Sequence, residues 1–324
     1  MCVILTSIAA AEASEGVVSM ISFLVRAPEA RRVQGLPRLQ RLLGGVFILL
    51  WLSGGECSRE RVESLNAMNE GVVFAAQKRY LDAVTRLQQA AALDPTNDQA
   101  YWNLAIVHME MQQFDAARDD LRRAIDIDGT RAGYHEKLGT VLVELDDLDA
   151  ARQAFERAIE IDPNLFKAYF KLGQILERQD DAQGALQRYT EAVQHGPRFI
   201  EGYRALGRLY ADLSYLGEAV QVLQAGLQVA IAGTEDEAEL HHLLGTVYQQ
   251  QRNYDGAVQE FQAALRIDPA MQDTLFSLGW TYSLQNNREE ARRYLKRFID
   301  GAAANVPEHY LKAARDRLGE LEGP

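Results

Sequence analysis

Cysteine is nearly missing from this sequence: Cys2 and Cys57 are the whole supply in 324 residues. No disulfide can staple anything after residue 57, and no thiolate site can form there. Proline is scarce, at 8 residues, and no apolar run approaches the roughly 20 residues a helix needs to span a bilayer. Positive charge is short as well: 34 Lys and Arg stand against 46 Asp and Glu, a net of −12. Residues 1–57 carry +1, so everything after them carries −13. A surface that acidic repels a phosphate backbone, which argues against nucleic acid as a partner. What is plentiful is Leu, Ala, Gln, Arg and Glu, a helix-forming mixture. With 47% hydrophobic and 25% charged residues, the chain can bury a core.

The longest apolar run, LLGGVFILLWL at 42–52, follows Arg38 and Arg41 and gives way to SGGEC. At 11 residues it has the size of a secretory h-region. An n-region is normally short, yet residues 1–41 precede this run, including a weaker apolar patch at 17–25. Translation is therefore expected to begin near Val33, and 1–57 to act as a leader. Ser53 and Gly55 suit ordinary cleavage before Glu56, which leaves Cys57 second in the mature chain. A lipoprotein peptidase wants a small residue directly before the cysteine and Leu three before it, where Glu56 and Gly54 stand. Lipidation at Cys57 and simple secretion both stay open. The expected location is outside the cytoplasm of a bacterium, periplasmic or attached to the outer membrane through the N-terminus. The alternative is a cytoplasmic chain, or one tethered by an uncleaved leader.

After a linker at 58–63, the dominant signal is periodicity. Segments ending in LDPTN, IDGTR, IDPNL, HGPRF and IDPAM recur at 34 residues, with one insertion of four. Seven repeats follow: 64–97, 98–131, 132–165, 166–199, 200–237, 238–271 and 272–305, with 306–324 as a closing helix and tail. Position 8 is Gly71, Ala105, Gly139, Gly173, Gly207, Gly245 and Gly279. Position 20 is alanine in every copy, from Ala83 to Ala291, and position 24 is Leu87, Leu121, Phe155, Tyr189, Leu223, Phe261 and Leu295. Positions 4, 7, 8 and 11 share one helix face, and 20, 24 and 27 share a face of a second. Small residues at 8 and 20 let the two helices approach closely, and proline at 32 ends the second. Each pair exposes an apolar face that only another pair covers, so the pairs must stack.

The segment AYFKLGQILERQDDAQGALQRYTEAVQHGP carries Leu-Gly at 7 and 8, Ala at 20 and 27 and Pro at 32. This pattern resembles the tetratricopeptide repeat, over residues 64 to about 305. The resemblance implies an all-α, right-handed superhelical solenoid of helix-turn-helix repeats. Departures are informative. Glu70 replaces the usual Leu in the first repeat, as suits a solvent-facing end. In the fifth, Ile231 replaces Pro and Gly226 replaces Ala, and AGTEDE at 232–237 reads most simply as an inert surface insertion, with a kink or contact site as the other reading. PEHYLKAARDRLG at 307–319 suits a capping helix.

No catalytic constellation emerges. GxxxxGK[ST] and GxGxxG are absent, so no phosphate cradle is expected. HEKLG at 135–139 begins like a zinc helix but has Gly139 where the second His belongs. His108, His135 and His241 take core-facing positions, and the adjacent His241 and His242 point about 100° apart on a helix. The chain is read as a non-enzyme with no cofactor and no metal.

The family resemblance places positions 2, 5, 6, 9, 12 and 13 in a concave groove. Position 6 reads Asn69, Asn103, Lys137, Lys171, Ala205, Leu243 and Ser277; position 5 includes Trp102, Phe170 and Phe276, and position 2 contributes Lys167. The family's carboxylate clamp keeps Lys167 and a basic Lys171 here, but Trp102, Ile106 and Lys137 replace its other three residues. The asparagine ladder of O-linked N-acetylglucosamine transferases is met only by Asn69 and Asn103, and no transferase domain follows. The expected site is Asn69, Trp102, Asn103, Lys137, Lys167, Phe170 and Lys171. Amides pair the backbone of an extended polypeptide, aromatics cover its apolar side chains and lysines meet its acids. The function expected is a protein-binding scaffold; the alternative is a substrate-presenting subunit of a glycosyl or cell-envelope enzyme.

Overall fold

The computed structural model describes residues 59–302 and 306–322; the run at 42–52 and Cys57 lie outside them. The fifteen helices among the described residues are α1 (Arg59–Ala76), α2 (Tyr80–Leu93), α3 (Asp98–Glu110), α4 (Phe114–Ile127), α5 (Ala132–Glu144), α6 (Leu148–Ile161), α7 (Phe166–Arg178), α8 (Ala182–His195), α9 (Ile200–Asp212), α10 (Leu216–Val229), α11 (Glu235–Gln250), α12 (Tyr254–Ile267), α13 (Gln272–Leu284), α14 (Arg288–Gly301) and α15 (Glu308–Glu322). No strand occurs among those residues, which makes the fold all-α, a helical-repeat solenoid as the periodicity requires. The chain divides into two compact blocks after Val107, within α3.

Odd-numbered helices through α13 open the repeats and even-numbered ones close them. The closing contact lies where spacing placed it. In α11 and α12, a Cβ on Gly245 would sit 2.7 Å from Phe261 Cδ1, far inside van der Waals contact. At the other position-8 glycines the same approach is 2.5–2.9 Å, to Leu87, Phe155, Tyr189, Leu223 or Leu295. The position-20 alanines and position-24 side chains are fully buried.

The turn within each repeat uses a device that composition hides. Seven described non-glycine residues have positive φ, 58° to 65°: Lys78, Gln112, Asp146, Asp180, Ser214, Arg252 and Asn286. All fall at position 15. The next residue's N–H reaches back to the carbonyl five residues earlier, as from Asn253 to Tyr248 at 2.8 Å, closing a Schellman motif. Position 16 then caps the second helix, through its side chain at Asp147, Asp181, Asn253 and Asn287. Between repeats, Asp94, Asp128, Asp162 and Asp268 each accept from the backbone N–H two residues on.

In the first block, Ser64 Oγ donates to Ala90 O at 2.8 Å and accepts from Asn97 Nδ2 at 3.1 Å. Glu70 is exposed and pairs with Arg86 at 3.1 Å, which accounts for a charge where leucine is usual. In the second block each closing helix packs on the next opener: α10 and α11 share a core of Leu223, Leu240, Leu244 and Val247. There the insertion is not inert. Thr234 caps α11 by accepting from Glu237 N, and the Glu237 carboxylate accepts from Gly233 N at 2.6 Å, so that α11 begins at Glu235, three residues ahead of the repeat's first position. Helix α15 buries Ala314 and Leu321 against the last repeat, and Glu322 meets Lys296 at 3.0 Å.

Gly245→Ala is expected to cost about 1–3 kcal/mol by overpacking. Arg252→Gly should gain about 0.5–1 kcal/mol, because glycine adopts the left-handed turn without Cβ strain. Chemical denaturation of the two variants checks both signs.

Candidate functional site

In the first block, Asn69 is exposed, and Trp102 and Asn103 are half-buried on α3. Asn103 Nδ2 donates to Gln99 O at 2.8 Å, so its amide nitrogen is turned onto its own helix. In the second block, Lys167 is exposed on the first turn of α7 and Lys137 is half-buried on α5. Phe170 packs on Tyr189 and Phe199, with ring centroids 5.5 and 5.0 Å away. Lys171 Nζ donates to Gln174 Oε1 at 3.1 Å.

Three cavities line the opening helices of this block. The first, about 440 Å³, is walled by Lys171, Gln174, Glu177, Arg178 and Arg208, with Tyr189 beneath. A second, about 510 Å³, lies among Phe170, Arg204, Glu239, His242 and Asp273. The third, about 730 Å³, is enclosed by His242, Asp273, Phe276, Phe298 and Tyr310. Most of these residues occupy positions 2, 5, 6, 9, 12 or 13 of their repeats. Phe170 and Lys171 are thus brought to the cavities. The sequence reading missed Gln174, Arg204, Arg208, Glu239, His242 and Asp273, although the same position code picks them out.

Polar networks stiffen this surface. Tyr189 puts a hydroxyl where other repeats have only carbon, and donates to Glu177 Oε2 at 2.7 Å. Arg208 grips the same carboxylate at 2.7 and 3.0 Å from the next repeat. Burial, and then the Glu177 bond, raises the Tyr189 phenol far above its usual range, so it stays a donor. Arg204 bridges to Asp236 at 3.4 Å and also meets Glu239, which ties the fifth and sixth repeats together.

The histidines take structural partners. His108 Nδ1 lies 2.6 Å from Asp120, and His241 Nδ1 lies 2.6 Å from Glu260. His135 Nε2 is 3.1 Å from Gly129 O. His242 Nδ1 pairs instead with Thr274 Oγ1 at 2.9 Å, so the adjacent pair cannot chelate. Burial lowers the His242 pKa, with Asp273 opposing. Among the described residues no group of three His, Cys, Asp or Glu could hold a metal ion, and no helix is long and apolar enough to cross a membrane.

Models of the tetratricopeptide repeat match residues 74–140, 238–270 and 273–300, and a TPR repeat model matches 139–180. The chain belongs to the tetratricopeptide repeat family. No similar sequence is found among curated proteins. Among solved structures, the C-terminal part of a TPR repeat-containing protein from Cytophaga hutchinsonii matches with a TM-score of 0.64 and 14% identity, over 78% of this chain and 99% of that one. PilF of Pseudomonas aeruginosa matches at 0.55 and 16%, over 67% and 97%. YrrB, described as a TPR protein with an unusual peptide-binding site, matches at 0.50 and 22%, over 60% and 97%. These likenesses show a shared tetratricopeptide fold.

Tyr189→Phe keeps the ring and removes one hydrogen bond to a charged group. A loss of about 1–2 kcal/mol is expected in urea unfolding, without loss of helical signal.

Proposed function

We propose that this tetratricopeptide repeat protein is a non-catalytic scaffold that holds an extended polypeptide along its opening helices. One observation carries the reading: consecutive cavities follow α7, α9, α11 and α13, lined mostly by side chains the packing code does not use. Repeat packing consumes positions 8, 20 and 24, so inner positions are free to recognise a partner. Phe170 and the 730 Å³ cavity supply apolar contact, and Gln174 and Thr246 supply groups for a backbone. In the first block, Asn69, Trp102 and Asn103 offer the same chemistry. The peptide-binding site named for YrrB is consistent with this use of the fold. We further propose export directed by the run at 42–52, with Cys57 as the point of any lipid attachment.

A photo-crosslinking side chain at Gln174 or Thr246 should capture the natural partner in cells, and one at Gln153 or Gln259 on closing helices should not. Changing Lys137, Lys167 and Lys171 together to Glu should abolish capture with the melting temperature nearly unchanged. Capture from Gln153 and Gln259 alone would overturn the reading.

A further inference from the structure

The inner surface of the second block changes sign along its length. On α5 and α7, three lysines, Lys137, Lys167 and Lys171, meet no carboxylate among the described residues, and Lys171 bonds only the neutral Gln174; against them stand two carboxylates at inner positions, Glu136 and Glu144, that meet no cation there. On α9, α11 and α13 the cations are Arg204 and Arg208, and both are already committed. Arg204 holds Asp236 and Glu239, and Arg208 holds Glu177 and Asp212. What remains there is Glu201 and Asp273, which meet no cation among the described residues and border the second cavity. The unpaired charge is therefore net positive at one end, where three lysines outnumber two carboxylates, and negative at the other.

The negative end also carries the aromatic residues. Asp273 stands at the rim of the 730 Å³ cavity, whose walls include Phe276, Phe298 and Tyr310. Phe276 meets Tyr310 edge-on at 5.2 Å and Phe298 at 5.3 Å. Tyr310 is 44% exposed and lines the cavity. A carboxylate beside aromatic walls suits a cation on an aliphatic stem: the stem packs on the rings while the charge meets the acid and the ring faces. A carboxylate ligand at this end is repelled by Glu201 and Asp273, with Arg204 and Arg208 already paired, and burial lowers the His242 pKa, which opposes a positive charge there.

Resting on the groove reading above, we propose that the partner is an extended segment with ends of opposite charge. Its acidic part lies over α5 and α7, and its basic part over α9, α11 and α13, with one arginine or lysine side chain entering the cavity beside Asp273, Phe276 and Tyr310. Helix axes that pack about 8–10 Å apart set the span from α5 to α13 at roughly 35 Å, which about 10 to 12 extended residues cover.

The test uses four capped, fluorescein-labelled 14-residue peptides of equal length and spacing: all-Glu, all-Arg, and the two block orders of Glu and Arg. Fluorescence anisotropy with the full chain at 150 mM salt reads affinity. One block order should bind at least tenfold tighter than either uniform peptide. Asp273→Asn should remove that advantage without weakening all-Glu binding, and Lys171→Glu should weaken all-Glu binding. If the all-Glu or all-Arg peptide equals both block peptides, or if Asp273→Asn changes nothing, the charge-graded partner is overturned and the groove reading stands. If no peptide binds, both fall together.

Discussion

Everything in this molecule rests on one contact: a large side chain at position 24 seated on the bare backbone of position 8. Six of the seven repeats place glycine there, at distances that leave no room for a Cβ in the structure as it stands. The contact fixes how closely the two helices of a hairpin lie. That spacing sets the face each hairpin offers to the next. Alanine at position 20 and the left-handed turn at position 15 serve the same closure, one by yielding space and the other by reversing the chain in two residues. The one position-8 alanine, Ala105, sits opposite Leu121, and leucine also faces glycine in three other repeats.

Closure by so few positions leaves the inner surface chemically unconstrained, and the second block uses that freedom unevenly. Tyr189 occupies a packing position and extends a hydroxyl into the inner surface, where it orders Glu177 and, through it, Arg208. Core and binding surface are thus joined by one residue. The insertion acts similarly at the next junction, since the early start of α11 brings Asp236 to Arg204. Arginines locked by such networks cannot answer a partner's acids, and this is what separates the lysine-bearing helices from the acidic ones.

The repeat and the all-α fold were legible because the packing positions recur seven times and each has a steric reason. The turn was not legible. Lys78, Gln112 and Arg252 show no preference for positive φ, and only the geometry of the motif imposes it. The AGTEDE segment read as inert although TEDE at 234–237 has the spacing of a helix start; the bond from Gly233 N to Glu237 and the contact of Asp236 with Arg204 appear only once the helix has formed. Of the expected binding residues, Phe170 and Lys171 reach the cavities because position 5 and 6 point inward in every repeat. His242 at position 5 and Asp273 at position 2 line the cavities of later repeats, yet neither is an amide or a lysine. Their significance depends on Arg204 and Arg208 being paired, which no spacing reveals.

The central claim is that the position 8 to position 24 seat determines closure, and a double-mutant cycle on Gly245 and Phe261 tests it most directly. If the added methyl of Gly245→Ala strains the fold through the Phe261 ring, then Phe261→Ala, which removes that ring altogether, relieves part of that strain. The account predicts a double variant more stable than the sum of the single changes by at least about 1 kcal/mol. Additivity within about 0.5 kcal/mol would contradict it, by showing that the two positions do not sense each other.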